Sequence, residues 1–452
     1  MKNLTEKQMV ITDESGVEHL CEIVFTYENE ERKASYVVFY ELDNPDEVLA
    51  MRYSEDGTLQ DIEDEEEFEE VVEVFDAFQE DNEVSEEDED EEEEEQTPSE
   101  SSNPNLNGYP HFMLKEIEEI DVVIDKLIDL YAKDGHYHFD QALIEDLKNA
   151  EDIVFVACGT SYHASLVGAR YFENIGKNTQ VHIASEFGYY PRKSSDKSVY
   201  ILLSQSGETA DSLRCQRYLK EHNKKVLVVT NTRGSTLDKE ATHTILLEAG
   251  PEISIASTKV FSSMVASLAL LVGALVDDPK TINDLQDAAR KIKALKSRKE
   301  EFKNVALKIK GANDLFYLGR GYDYITALES SLKLKETSYV HSEAFPGGEI
   351  RHGPIALVTE ETPVIIFISD PISAEAMRSS AKEIKDRGVN VYVISSDSLK
   401  QKGDAIVIDD SPVYLSPLMK SVVAFYLAYF VSSAKGLDVD KPRNLSKAVT
   451  NE

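Results

Sequence analysis

The chain has 452 residues and a formal charge of −38, from 47 Lys+Arg against 85 Asp+Glu. Residues 1–100 hold 38 acidic and 5 basic side chains and the remainder holds 47 and 42, so a near-neutral body follows a strongly acidic head. That balance argues against binding nucleic acid, whose phosphates the head would repel. With 41% hydrophobic residues, disorder of the whole chain is excluded.

Residues 1–80 read as a small acidic α+β domain. Val10-Ile11, Glu22–Phe25 and Ser35–Tyr40 are strand-like, separated by turn signals at Glu14-Ser15-Gly16 and Asp43-Asn44-Pro45; Val48–Tyr53 is a candidate fourth strand. Phe68, Val71, Val72, Val74, Phe75 and Phe78 form a helical stripe within 65–78. Residues 81–108 read as a disordered acidic linker. Glu86–Glu95 is ten consecutive acids, which repel one another, and Gln96–Gly108 is rich in Ser, Pro, Asn and Gly.

The first residues lack the apolar run of a signal peptide. Cys21, Cys158 and Cys215 cannot all pair, and their spacing fits neither a zinc site nor a redox motif, which suits a reducing compartment. The apolar stretch 260–276 is broken by Ser262, Ser263, Ser267 and Gly273 and reads as a buried helix. A cytoplasmic chain without a membrane partner is expected.

From His111 strands and helices alternate. Ile153–Ala157, Val199–Leu203, Lys225–Val229 and Thr244–Leu247 are continuous apolar strands; helical patterns run over Ser165–Ile175, Asp211–His222 and Lys259–Leu275. Such strands between helices predict a parallel sheet covered on both faces. The plan then repeats. Asp314–Gly321 mirrors Asp152–Gly159, and Pro363–Ser369 and Val389–Ile394 mirror the second and third strands. A duplicated unit of about 125–140 residues predicts two similar doubly wound α/β subdomains. The first, with its leading helices, spans 109–290 and the second 291–437; a C-terminal tail, 438–452, follows. Ligands in such sheets sit beyond the carboxyl ends of the strands.

The second strand of the first repeat ends in Ser204-Gln205-Ser206-Gly207-Glu208-Thr209, directly before a helical run. A helix N-terminus offers free backbone N–H groups and the positive end of the dipole. Ser204, Ser206 and Thr209 add hydroxyl donors, Gly207 lets the backbone come close, and Ser161 can reach in from the neighbouring strand. Three hydroxyls in six residues exceed what one N-cap needs, and they suit a phosphate monoester. The second repeat has Ser369-Asp370-Pro371-Ile372-Ser373 at this place, so one phosphate site per chain is expected.

The segment Ser204–Thr209 resembles the phosphosugar signature of the sugar isomerase (SIS) family. More narrowly, residues 109–452 are similar to the isomerase half of the glutamine–fructose-6-phosphate aminotransferases, the hexosamine synthases. His111–Ile117, Ala157–Tyr162, Ile183–Phe187, Ile255–Lys259 and, most specifically, Asp438–Thr450 carry that resemblance. Residues 1–80 are loosely similar to small acidic bacterial proteins of no assigned activity.

Aldose–ketose isomerisation needs a group that opens the sugar ring, a base that moves a proton between C1 and C2, and a donor that steadies the enediol charge. Lys333 and Glu336 are three apart on a predicted helix and share a face; His352 lies just before Gly353-Pro354. The resemblance implies that Glu336 is the proton-transfer base, Lys333 its electrostatic partner and His352 the ring-opening group. The family supplies that histidine from the neighbouring subunit, so a homodimer is implied. The resemblance also makes Lys447 an imine-forming amine or a ring-opening participant. It implies further sugar contacts at Gly159, Thr160, Ser161, Gln205, Ile255, Ala256 and Ser257, with Glu252 binding a hydroxyl or positioning Lys447. No metal cluster or nucleotide fingerprint is visible, so no cofactor is expected.

The synthases begin with a glutaminase domain whose nucleophile is an N-terminal cysteine. This chain begins Met1-Lys2, and an 80-residue head is too short for that domain. Three readings stay open. The chain converts fructose 6-phosphate to glucosamine 6-phosphate with ammonia from a separate glutaminase subunit or from solution. Alternatively it is a plain phosphosugar isomerase, or a deaminase or deglycase. In the third reading it binds a sugar phosphate as a non-catalytic regulator.

Overall fold

The computed structural model describes residues 106–447 except 193, and within the head residues 8–12, 18–29, 32, 34–41, 44–53, 59–60, 62, 64, 67, 70 and 71. Most of the helical stripe 65–78, the linker up to residue 105, and residues 448–452 lie outside the described residues. The chain divides into two units between Ser101 and Ser102.

In the head, β1 (Gln8–Thr12), β2 (Glu18–Asn29), β3 (Ala34–Glu41), β4 (Asn44–Tyr53) and β5 (Leu59–Gln60) form one antiparallel sheet in chain order. Side chains alternate across β3: Val37 and Phe39 pack with Cys21 on one face, Tyr36 and Val38 with Val71 on the other. The buried Glu67 accepts from Tyr36 Oη at 2.6 Å and pairs with Arg52. The turn signal Asp43-Asn44-Pro45 misplaced a boundary: β4 already begins at Asn44, and the ladder with β3 shifts register between Tyr40 and Glu41 there.

The body holds two five-stranded parallel sheets. β6 (Asp152–Ala157), β7 (Asn178–Ile183), β8 (Val199–Ser204), β9 (Lys225–Thr230) and β10 (His243–Leu246) lie in the order β10-β9-β8-β6-β7. β11 (Asp314–Gly319), β12 (His341–Pro346), β13 (Val364–Ile368), β14 (Val391–Ser396) and β15 (Ile406–Ile408) lie as β12-β11-β13-β14-β15. Strand for strand the two orders superimpose, end strand to end strand.

The continuous apolar runs have a direct cause. Alternate residues of each strand enter different cores. Ile153, Phe155, Ile201 and Leu203 of the first sheet and Leu315, Tyr317, Ile365 and Phe367 of the second share one central cluster. Val154, Val156, Tyr200 and Leu202 pack outward against the helix Ala210–Glu221, and Phe316, Leu318, Val364 and Ile366 do the same on the other sheet. The helices Lys259–Val276 and Ser416–Ala434 run through the central cluster and are apolar all round for that reason. They are long and apolar enough to cross a membrane, but 89% and 94% of their apolar windows are buried inside the body.

Candidate active site

β6 and β8 are adjacent and parallel, so their carboxyl ends open side by side. β6 leads through Cys158 into the helix Gly159–Asn174, and β8 leads through Gln205–Thr209 into Ala210–Glu221. Two helix N-termini therefore converge on one point, which favours an anion there. Between them is a cavity of about 130 Å³ lined by Thr160, Ser161, Ser204, Gln205, Ser206, Thr209, Ile255, Ser257 and Lys447.

The turn is held by its own hydroxyls. Ser204 Oγ accepts from Gly207 N at 3.1 Å and shares a hydrogen bond with Thr209 Oγ1 at 3.0 Å; Ser206 Oγ accepts from Glu208 N at 3.1 Å. Ser206, which only accepts a backbone N–H, keeps its own O–H for a ligand, and one O–H of the Ser204–Thr209 pair is likewise left. Gly207 has φ +72°, and a Cβ there would meet Ser235 Oγ at 2.0 Å. Only glycine fits this backbone against its neighbour. Ser212, one helical turn further, was missed in the sequence. It is buried, lines the same cavity, and its Oγ has no hydrogen-bond partner among the described residues. Its signal was the i+3 spacing from Thr209. Cys158 also lines the cavity, but burial and the nearby Asp211 carboxylate push its thiol up, away from a nucleophilic thiolate.

The helix Tyr322–Ser338 carries Lys333 and Glu336. Lys333 is fully buried and donates to Glu336 Oε2 at 2.6 Å. This is not a surface ion pair. Burial would lower the lysine, yet Glu336 and Glu329 outweigh it and hold the ammonium above the usual range. Glu329 is a second residue that the sequence reading missed. Its carboxylate is fully buried, lies 3.5 Å from Lys333 Nζ, accepts from Thr160 Oγ1 at 3.1 Å, and pairs with His163 Nδ1 at 2.7 Å. It thereby ties the Gly159 helix to the Tyr322 helix. The available signal was its place one turn before Lys333 on the same face.

The tail brings Lys447 to the cavity. Lys447 Nζ donates to Glu252 Oε2 at 2.8 Å and to Ser254 O at 2.7 Å. Glu252 is buried, and Oε1 accepts from Thr258 N and Val260 N at the start of the helix Lys259–Val276. Burial would push its carboxyl up, but Lys447, its hydrogen bond and the two amides hold it below the ordinary range. Ala256 is buried, and Gly159 opens its helix at φ +51°. His352 stands apart from the others. It ends a single 3₁₀ turn, Glu349–His352, is exposed, and has no hydrogen bond or ion pair among the described residues.

The equivalent turn after β13 is occupied by the chain itself. Asp323, in the first turn after β11, accepts from Ser369 N and Ser369 Oγ at 2.6 Å each, and Lys420 lies 3.5 Å from it. A carboxylate thus fills the place that the turn Ser204–Thr209 leaves open. No group of three or more metal-ligating side chains occurs among the described residues.

Comparison with known proteins agrees with this architecture. Residues 146–274 and 308–432 match the SIS domain family, and residues 14–80 match a protein family of unknown function, DUF1292. The chain is 41% identical over 362 residues to glutamine–fructose-6-phosphate aminotransferase (isomerizing) of Oceanobacillus iheyensis, covering 78% of this chain and 60% of that relative. It therefore spans about three fifths of that relative's length. Among solved structures, the C-terminal domain of glucosamine-fructose-6-phosphate aminotransferase from Francisella tularensis aligns with TM-score 0.71 and 30% identity, over 75% of this chain and 99% of that one. A glucosamine-6-phosphate deaminase from Thermotoga maritima aligns with TM-score 0.62 and 25% identity, over 75% and 99%. With two matched repeats, two parallel sheets of the same strand order and one hydroxyl-lined turn between helix N-termini, the chain belongs to the SIS domain family.

Proposed function

We propose that this chain rearranges a hexose 6-phosphate between keto and aldo forms, and that with ammonia from a separate source it makes glucosamine 6-phosphate from fructose 6-phosphate. The observation that carries the reading is the convergence of an amine and a carboxylate on the hydroxyl turn: Lys447 lines the cavity of Ser204, Ser206 and Thr209, and Thr160 of that cavity is bonded through Glu329 to the Lys333–Glu336 pair. A phosphate bound in the turn would fix the far end of the sugar and leave C1 and C2 to these groups. Glu336 then carries the proton between C1 and C2. Lys333, held cationic, steadies the negative charge that develops on the oxygens. Lys447 acts as an imine-forming amine or in ring opening. The exposed His352 fits a role toward a second copy of the chain, which would supply ring opening across a homodimer interface. A pure regulator would need the turn alone, so the buried acid–base cluster favours an enzyme.

Product analysis with fructose 6-phosphate plus glutamine, plus ammonium, or with neither separates the readings. Glucosamine 6-phosphate with ammonium but not with glutamine is the expected result. Glucose 6-phosphate under all three conditions selects the isomerase. Binding without any product selects the regulator, as a deaminase would be selected by release of ammonia from glucosamine 6-phosphate.

Gly207→Ala addresses the turn itself. The added methyl collides with Ser235 in a backbone conformation that costs alanine about 1–2 kcal/mol. Displacing one donor to a phosphate should weaken fructose 6-phosphate binding by about tenfold to a hundredfold in calorimetry. Unchanged affinity would move the phosphate away from this turn.

A further inference from the structure

We infer that Glu116 is the positioning residue for Lys447: its carboxyl ties down the backbone that receives the tail amine, and its ionisation sets how many carboxylates that amine faces. This rests on the reading of Lys447 as the amine of the site. Glu116 lies on the helix Phe112–Glu118, which is joined to the tail at its start and to the segment around Ile253 one turn along. At its start, Asp440 accepts from Phe112 N and Met113 N at 2.8 Å each, which satisfies two of the free amides of the first turn. The carbonyl of Asp440 accepts from Ile255 N at 3.0 Å. One turn along the helix, Glu116 Oε1 accepts from Ile253 N and Ser254 N. The groups that hold Lys447 Nζ are Glu252 Oε2 and Ser254 O. They belong to the short segment whose amides Glu116 and Asp440 pin.

The second oxygen of Glu116 explains why this is more than a structural tie. Glu116 is 2% exposed, and its Oε2 is buried with no hydrogen-bond partner among the described residues. A full carboxylate would leave a charge there without compensation. The charged groups around it come from each packed element: Glu252 from the segment, Lys447 from the tail, and Lys259 from the helix Lys259–Val276, itself paired with Glu119 at 2.8 Å. Burial first, and Glu252 second, push the Glu116 carboxyl up to about 8, against the pull of its amide bond and the two lysines. Near neutral pH the carboxyl therefore favours its neutral form, while Oε1 accepts both amides. Above about pH 8 it becomes a second carboxylate beside Lys447. The amine then faces two carboxylates, whose attraction holds it in place and slows its attack on an electrophile.

The test labels the full-length chain with acetic anhydride, with Lys447 followed by peptide mass spectrometry and the exposed Lys133 as internal reference. Glu116→Gln keeps an acceptor for the two amides and cannot ionise. At about pH 9, Lys447 of Glu116→Gln should be acetylated about threefold to tenfold faster than in the unmodified chain, with rates within about twofold near pH 7. The unmodified chain should also show an infrared band of a protonated buried carboxyl that fades between about pH 7 and 9, and Glu116→Gln should lack it. Equal labelling at both pH values, or no such band, overturns the inference. If Glu116→Gln does not fold, the band and a bend near pH 8 in the labelling profile of the unmodified chain decide. Borohydride trapping of Lys447 with fructose 6-phosphate tests the amine reading separately, and its failure leaves the labelling result intact.

Discussion

Glu336→Gln should bind fructose 6-phosphate within about threefold of the unmodified chain and lose about 10²–10⁴ in turnover, the range for removing a general base. The substitution is sterically conservative and leaves the turn Ser204–Thr209 on the other subdomain untouched. It also leaves Lys333 compensated. That lysine is fully buried, but the Glu329 carboxylate remains 3.5 Å away and still carries the opposite charge. A folded variant that binds but does not turn over is therefore the expected result. Thermal unfolding checks the fold, calorimetry the binding, and isomer formation the rate. Proton exchange at C2 into deuterated water should fall with turnover, because the same group would carry that hydrogen. Undiminished turnover would remove Glu336 from the chemistry. Lost binding would instead make the Lys333–Glu336 pair part of the sugar pocket.

The same geometry shows what the sequence could and could not carry. The strands legible in it are continuous apolar runs, most of them, such as Ile153–Ala157 and Val199–Leu203, buried on both faces. β7 and β12 went unread because they are end strands, half-exposed along most of their length, and Asn178-Thr179-Gln180 and His341-Ser342-Glu343 break the apolar run. The hydroxyl turn was legible because Ser204, Ser206 and Thr209 fall within six residues of the chain. Glu329 was not, since its meaning depends on Thr160, 169 residues away. Glu116 needs Ile253, 137 residues away, to become more than one polar residue in a helix. Long-range burial converts these carboxylates from ordinary surface groups into fixed parts of a site, and no local pattern encodes it. His352 remains exposed in the single chain, consistent with a residue whose proposed role needs a second copy.

The largest stability effect is expected at the second, self-filled turn. Asp323→Asn should destabilise the body by about 3–5 kcal/mol, the usual consequence of leaving one member of a buried ion pair alone. Lys420 and Asp323 have side chains 0% and 2% exposed, so water cannot replace the lost charge. Burial already depresses the Lys420 ammonium to about 8, with Asp323 pulling upward. Without Asp323 it falls further. The sign of the pH dependence follows. A lysine held at about 8 in the folded chain and 10.5 when unfolded binds fewer protons folded than unfolded between those values, so its contribution to stability rises with pH across that window. In Asp323→Asn the rise should begin below pH 8, because the lysine must lose its proton to stay buried. Urea unfolding at about pH 7 and about pH 9 measures both effects, and the variant should recover part of its loss at the higher pH. The double change Asp323→Asn with Lys420→Met should recover most of it at either pH, since a well-packed apolar chain replaces an uncompensated ion. If the single and double variants are equally weak, the cost lies in the Ser369 hydrogen bonds and not in the stranded charge. If Asp323→Asn costs nothing, Asp323 is not the chain's own stand-in for an anion.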